Sequence, residues 1–217
     1  ATGSFWTVRQ RQACSLHEVS YRACFKPQLP RFFIERLSRP GDVVYDPFSG
    51  RGTTGIEAGL LGRNVILNDA NPLGEILARA RFFVPDLGEL EQRLRSIDLT
   101  QDRRAEPDLS MFYHPKTESE IVGLRDYLDK RRTAGTEDDL DRWIRMVATN
   151  RLTGHSKGFF SVYSLPPNQA ASPQSQLKIN ARLKQTPDPR DVVKIILKKS
   201  KNLMSGLSED EAARLRN

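Results

Sequence analysis

Apolar and polar positions follow two periods along this chain, and the changes from one period to the other divide it into elements. "PQLPRFFIERL" puts Phe33, Ile34 and Leu37 on one helical stripe, with Pro30 tolerable in the first turn and Pro40-Gly41 as a stop. "DVVYD" reads as a short buried strand, "GTTGIEAGLLG" as a helix ending at Gly62, and "NVILND" as a second strand, a strand–helix–strand unit. Glu75 to Arg81 and Leu87 to Ile97 read as helices separated by Pro85. Thr117 opens another, with Glu120 completing a capping box and Ile121, Leu124 and Leu128 forming the apolar face. After the turn "TAGTEDD", Leu140, Trp143, Ile144 and Val147 return at helical spacing, which makes Trp143 a core anchor rather than a base-stacking residue. Residues 151–189 lack strong periodicity and read as a functional insertion of irregular or β structure. Asp191 to Met204 reads as a helix, and Ser208 to Glu211 caps a last short one.

A chain of 217 residues suits one domain, with or without a large insertion, and can bury most of its apolar surface. It has no apolar run of about 18 residues, and its opening lacks the apolar core of a secretory signal, so a cytoplasmic protein with no membrane partner is expected. Cys14 and Cys24 are the only cysteines, and His17, His114 and His155 are scattered. No pair has metal-ligand spacing, so reduced thiols and no metal are expected.

Charge shifts the picture toward a polyanionic partner, since the formal net charge is +7 and the isoelectric point about 9.6. From Arg142 to Lys201 bases recur throughout, and the only acids are Asp188 and Asp191. A solvated helix face accounts for Lys194 to Lys201. It accounts less well for Arg151 to Lys184, where bases alternate with aromatics, amides and hydroxyls, a mixture suited to phosphate and base-edge contacts.

The densest chemistry lies in "YDPFSGRGTTGIEAGLLGRNVILNDANPL". Gly50-Arg-Gly52-Thr-Thr-Gly55 follows a strand and starts a helix, so backbone can approach a ligand at the helix N-terminus. A dinucleotide would put its pyrophosphate there, but a carboxylate at Asp46 repels phosphate. S-adenosyl-L-methionine fits better: its ammonium suits Asp46, it carries no phosphate, and Asp69 ends the next strand, where an acid can take both ribose hydroxyls.

"DPFSGRGTT" with the downstream "NDANP" resembles the cofactor motif of amino-directed DNA methyltransferases, which make N6-methyladenine or N4-methylcytosine. Upstream, "HEVSYRACFKPQLPRFFI" resembles the family's other cofactor motif, so the resemblance spans roughly Phe5 to Leu73. It implies an α/β fold with a Rossmann-like methyltransferase core over residues 1–100. A target-recognition insertion over 101–189 and helices leading back to the core over 190–217 would follow. It also implies that Tyr21, Phe25, Lys26 and Pro27 line the methionine side, that Asp46, Pro47, Phe48, Gly50, Gly52, Thr53 and Thr54 form the loop, and that Asn68 and Asp69 face the ribose. The partner implied is double-stranded DNA, with Arg151, His155, Ser156, Lys157, Asn168, Gln169, Gln174, Gln176, Lys178, Asn180 and Arg182 as the candidate contacts.

The family's catalytic tetrapeptide pairs a polar acceptor with an aromatic around proline, because the exocyclic amine must give up hydrogen bonds while the flipped base stacks. The only Pro-Pro here is in "SLPPNQ", where Leu165 and Asn168 stand at the two required positions, so a simple turn is expected. Cytosine C5 methylation would need a cysteine after proline, and "QACS" and "RACF" offer none. The expectation is an amino-terminal part or one subunit of a methyltransferase, with the tetrapeptide on a continuation or a second polypeptide. An RNA methyltransferase with a similar loop, and a non-catalytic cofactor-binding DNA-recognition module, are the alternatives.

Overall fold

The computed structural model describes residues 14–167 and 169–216. It is mixed α/β and divides into two compact units, residues 1–84 with 202–217, and residues 85–201.

The first unit contains the only sheet among the described residues. Strand β1 (Val43–Asp46) runs parallel to β2 (Asn64–Leu67), with Val43 opposite Asn64 and Asp46 opposite Leu67. Helix α2 (Thr53–Leu60) crosses between them on one face, where Gly55 lets it come down on Val65 and Leu67: a Cβ there would lie 2.8 Å from Leu67 Cδ1. Helices α1 (Gln28–Leu37), α3 (Pro72–Arg79) and α9 (Glu209–Arg216) complete the unit. Ser208 caps α9 as expected, receiving the Glu211 N–H at 3.2 Å while Glu211 accepts the Ser208 N–H at 3.0 Å.

Two expectations change here. The strand "DVVYD" is not buried on both sides, because Val43 and Tyr45 are each 59% exposed and Ile66 on β2 is 54% exposed. A continuous apolar run signals a strand covered on both faces, whereas the described residues cover only the face bearing Val44, Val65 and Leu67. The stripe of α1 also differs. Pro30 and Ile34 are buried, but Phe33 and Leu37 are exposed, and Phe33 meets Phe32 edge-on at 5.3 Å.

The second unit is helical: α4 (Leu87–Ser96), α5 (Pro115–Thr133), α6 (Asp139–Arg151), α7 (Pro173–Leu183) and α8 (Val192–Met204), whose last three residues fall in the first unit. Trp143 is the anchor its spacing implied: it is fully buried, and its indole N–H donates to Ser200 Oγ at 2.9 Å. The buried Asp141 joins α4, α5 and α6 by accepting from Arg93 at 2.7 Å and from Arg131 Nε.

The capping box expected at Thr117 and Glu120 is not one. The helix starts two residues earlier at Pro115, and His114 is its N-cap. Thr117 lies inside the first turn and instead receives the Arg190 N–H at 2.7 Å, while Glu120 receives the Val192 N–H at 3.2 Å, so both fix the approach to α8. The stretch expected to be irregular or β contains α7, begun by a Ser172 N-cap and a proline in the first turn. Its β content among the described residues is a single bridge between Gly154 and Tyr163.

Candidate cofactor site and nucleic-acid surface

The turn after β1 must reverse tightly, and glycine provides the backbone for it. Gly50 and Gly52 have φ of +51° and +78°, the left-handed region disfavoured by side chains. Space enforces the choice at Gly52, where a Cβ would sit 2.7 Å from Ala78 Cβ on α3. At Gly50 the neighbour is the Tyr21 ring, 3.2 Å from the missing Cβ.

Hydrogen bonds tie this loop to the end of β2. Gly50 N–H donates to Asp69 Oδ2 at 2.6 Å, and Asn71 N–H donates to Asp69 Oδ1 at 2.9 Å. These two donors, Asn71 foremost, hold the Asp69 carboxyl below the usual carboxylate range. Ser49 N–H reaches Asn68 O at 2.9 Å, Asn68 Nδ2 donates to Pro47 O at 3.3 Å, and Asp46 accepts the Phe48 N–H at 3.0 Å. Phe48 projects into solvent, 87% exposed. Thr53 is buried and accepts from Arg51 Nε at 3.2 Å; Thr54 is half-buried.

The upstream segment meets the loop through Tyr21, whose hydroxyl accepts from Asn71 Nδ2 at 3.2 Å. Phe25 is 36% exposed, Lys26 is half-buried, and Pro27 is buried at the start of α1. Tyr21, Gly50 and Asp69 are thus brought together, with Asn71 as the link between them. Sequence reasoning missed the residues that hold this segment down. Arg51, between the two glycines, donates from Nη1 to His17 O at 2.8 Å and Val19 O at 2.7 Å, and the fully buried Arg81 donates to Leu16 O at 2.9 Å. Burial lowers Arg81 to about 9, so it stays charged at neutral pH. Beneath them, His17 Nε2 lies 2.7 Å from Glu57 Oε1 with both side chains buried, and Arg31 reaches the other Glu57 oxygen at 3.3 Å. The only signal for Arg51 was its place within the loop, and Arg81 had none.

A groove of about 900 Å³ runs along the free edge of β2, from Ser49 and Asp69 at one end past Glu75 and Arg79 to Arg214. Asp69 therefore borders both the glycine loop and open volume.

In the second unit, the candidate nucleic-acid residues separate into two groups. Gln174, Lys178 and Arg182 recur every four residues on α7 and are exposed, as are His155, Ser156, Lys157 and Gln169. Gln176 and Asn180 turn inward: the buried Gln176 donates to Tyr163 O at 2.9 Å, and Asn180 donates to Met111 O at 2.8 Å. Their amides are spent on the fold. Arg151 lies over the Phe159 ring at 4.0 Å and bonds Asn150, and His155 stands beside the same ring. Asn168 lies outside the described residues. Gln169 N–H donates to Pro166 O at 2.8 Å, closing the turn expected at "SLPPNQ". Among the described residues, no group of three or more His, Cys, Asp or Glu could hold a metal, and no helix is long and apolar enough to cross a membrane.

Residues 1–73 match the model of the N6/N4 methyltransferase family, described as DNA methylase. The chain is similar to the Type II methyltransferase M.MjaII of Methanocaldococcus jannaschii, 34% identical over 74 residues, which is 34% of this chain and 14% of that protein. It is also similar to the Type II methyltransferase M.BsoBI of Geobacillus stearothermophilus, 33% identical over 87 residues, 38% of this chain and 17% of that protein. The matched part is therefore under a fifth of either relative. No solved structure matches. With the glycine loop, its two flanking acids and the upstream aromatic segment all inside or beside the matched stretch, the amino-terminal third of this chain is similar to the N6/N4 DNA methyltransferase family.

Proposed function

We propose that the chain is the cofactor-binding and target-recognition part of a site-specific DNA methyltransferase with a Rossmann-like core. It moves a methyl group from S-adenosyl-L-methionine to the N6 of adenine or the N4 of cytosine in duplex DNA. The observation that carries this reading is a glycine loop held by one carboxylate, Asp69, and preceded by another, Asp46.

The residues fit this cofactor. A carboxylate pair suits an ammonium and a ribose diol and disfavours phosphate. Asp69 uses one lone pair on each oxygen for backbone N–H groups, leaving further lone pairs to accept ribose hydroxyls. Asp46 keeps acceptor capacity for the ammonium, and Gly50 and Gly52 let the loop backbone approach the ligand. Tyr21, Phe25, Lys26 and Pro27 border the methionine side, and Asn68 the ribose side. The cofactor, when bound, supplies a methyl group activated on sulfonium sulfur. These residues bind and orient it.

The catalytic tetrapeptide belongs to a continuation or a second polypeptide, and the site of action is the cytoplasm, on nucleoid DNA. Titration calorimetry tests the cofactor assignment: S-adenosyl-L-methionine is expected to bind and nicotinamide dinucleotide is not, and the reverse result overturns it. Methyl transfer to duplex DNA but not to RNA, once the tetrapeptide is supplied, separates this reading from an RNA methyltransferase. Transfer by no combination of polypeptides leaves a non-catalytic recognition module.

A further inference from the structure

The cations of the second unit are of two kinds. Many arginines on α4, α5 and α6 are matched with acids: Arg93 and Arg131 with Asp138 and Asp141, Arg142 with Asp139, and Arg145 with Asp129 and Glu137. Lys194, Lys198 and Lys201 on α8 are exposed, and among the described residues none of them forms an ion pair. They stand at i, i+4 and i+7, a single helix face.

This face also has no acid to spare. Beside it runs a groove of about 1350 Å³, floored by Leu94 and Leu197, whose carboxylates are Glu91, Asp102, Glu120 and Asp191. Glu91 is held by Arg95 at 2.5 Å and Asp102 by Arg104 at 2.9 Å. Glu120 accepts the Val192 N–H and Asp191 the Lys194 N–H, so both are occupied in starting α8. Each of these carboxylates is thus engaged by a donor of the fold, whereas the three lysines are held by no acid among the described residues.

We propose that Lys194, Lys198 and Lys201 form a sequence-independent phosphate-contacting track for duplex DNA, an inference that rests on the DNA methyltransferase reading. The dimensions agree. Seven residues of helix rise about 10 Å, and one DNA strand carries a charge every ~3.4 Å of axis, so three lysines span about three successive phosphates. The track supplies affinity, while base reading falls to the exposed face of α7 with Gln174, Lys178 and Arg182.

The test is fluorescence anisotropy of a labelled duplex titrated between about 50 and about 200 mM salt, with the same protein samples assayed for S-adenosyl-L-methionine binding. The variant is Lys194→Gln with Lys198→Gln and Lys201→Gln, glutamine having a similar helix propensity, and circular dichroism verifies its fold. The salt slope is expected to fall by about 0.9 per lysine, about 2.7 in all, and Lys→Arg at the three positions is expected to restore it. An unchanged slope in the Gln variant, with a reduced one in Lys178→Gln with Arg182→Gln, overturns the track and leaves the DNA methyltransferase reading standing. Wild-type protein that binds the cofactor but no duplex overturns both.

Discussion

Asp69 accepts the backbone N–H of Gly50 at 2.6 Å, so the acid expected to meet the ribose also fixes the loop that would approach the cofactor. On the proposed reading, binding and loop shape are coupled through one side chain. Asp69→Ala is expected to weaken S-adenosyl-L-methionine binding by roughly tenfold or more, with Asp69→Asn intermediate because it keeps one acceptor oxygen. Calorimetry showing equal affinity in all three proteins would remove Asp69 from the site. Because the folded carboxyl is held low, its contribution is fully present above the unfolded value and is lost only as the pH falls through the folded one.

Gly52 faces two obstacles at once, a φ of +78° and Ala78 Cβ at 2.7 Å. Gly52→Ala should therefore destabilise by about 2 kcal/mol or more, combining backbone strain with overpacking. Gly41 has a φ of +89° but nothing within 4 Å of the place a Cβ would take, so Gly41→Ala should cost only the strain, about 1 kcal/mol. Urea midpoints that rank the two the other way would contradict the close packing of α3 against the loop.

Arg51 donates to two carbonyls of the turn that leads to Tyr21. Replacing it with alanine leaves those carbonyls without their partner and frees the segment locally. Trypsin cleavage at Arg22 is expected to speed up severalfold, together with weaker cofactor binding. Arg51→Lys, which can satisfy one carbonyl, should recover part of the protection. Identical cleavage rates in all forms would mean that the segment is held by other contacts.

His17 gives the chain a pH dependence. Burial lowers its pKa and outweighs the raising effect of Glu57, so the folded imidazole is neutral at pH 7. The unfolded chain then binds a proton that the folded one refuses. Stability should therefore fall as the pH drops below the ordinary value near 6.5. Denaturant midpoints between pH 5 and pH 7 should slope less in His17→Gln, and an equal slope would assign the titration elsewhere.

What the sequence disclosed was what local chemistry determines. Glycines after an apolar run and an acid on each side marked the loop and its flanking strands without any distant information, whereas α3 starts three residues before the expected Glu75, at Pro72. Several failures involve partners elsewhere in the fold. Thr117 and Glu120 match a capping pattern, but their bonding partners are Arg190 and Val192, more than seventy residues away. Helix α7 was hidden because its inner face is polar, with Gln176 and Asn180 bonding to loop carbonyls where leucine would have shown a period; the Ser172-Pro173 start was the available clue. Arg81 is fully buried and donates to the carbonyls of Leu77 and Leu16, a role that no sequence pattern encodes.

The sheet face that the described residues leave uncovered affects how the protein will behave at the bench. Val43, Tyr45 and Ile66 form a small greasy patch beside an open strand edge, the kind of surface that seeks company. Sedimentation of this polypeptide by itself should drift toward larger species as concentration rises, and a charged residue at Tyr45 should hold it back.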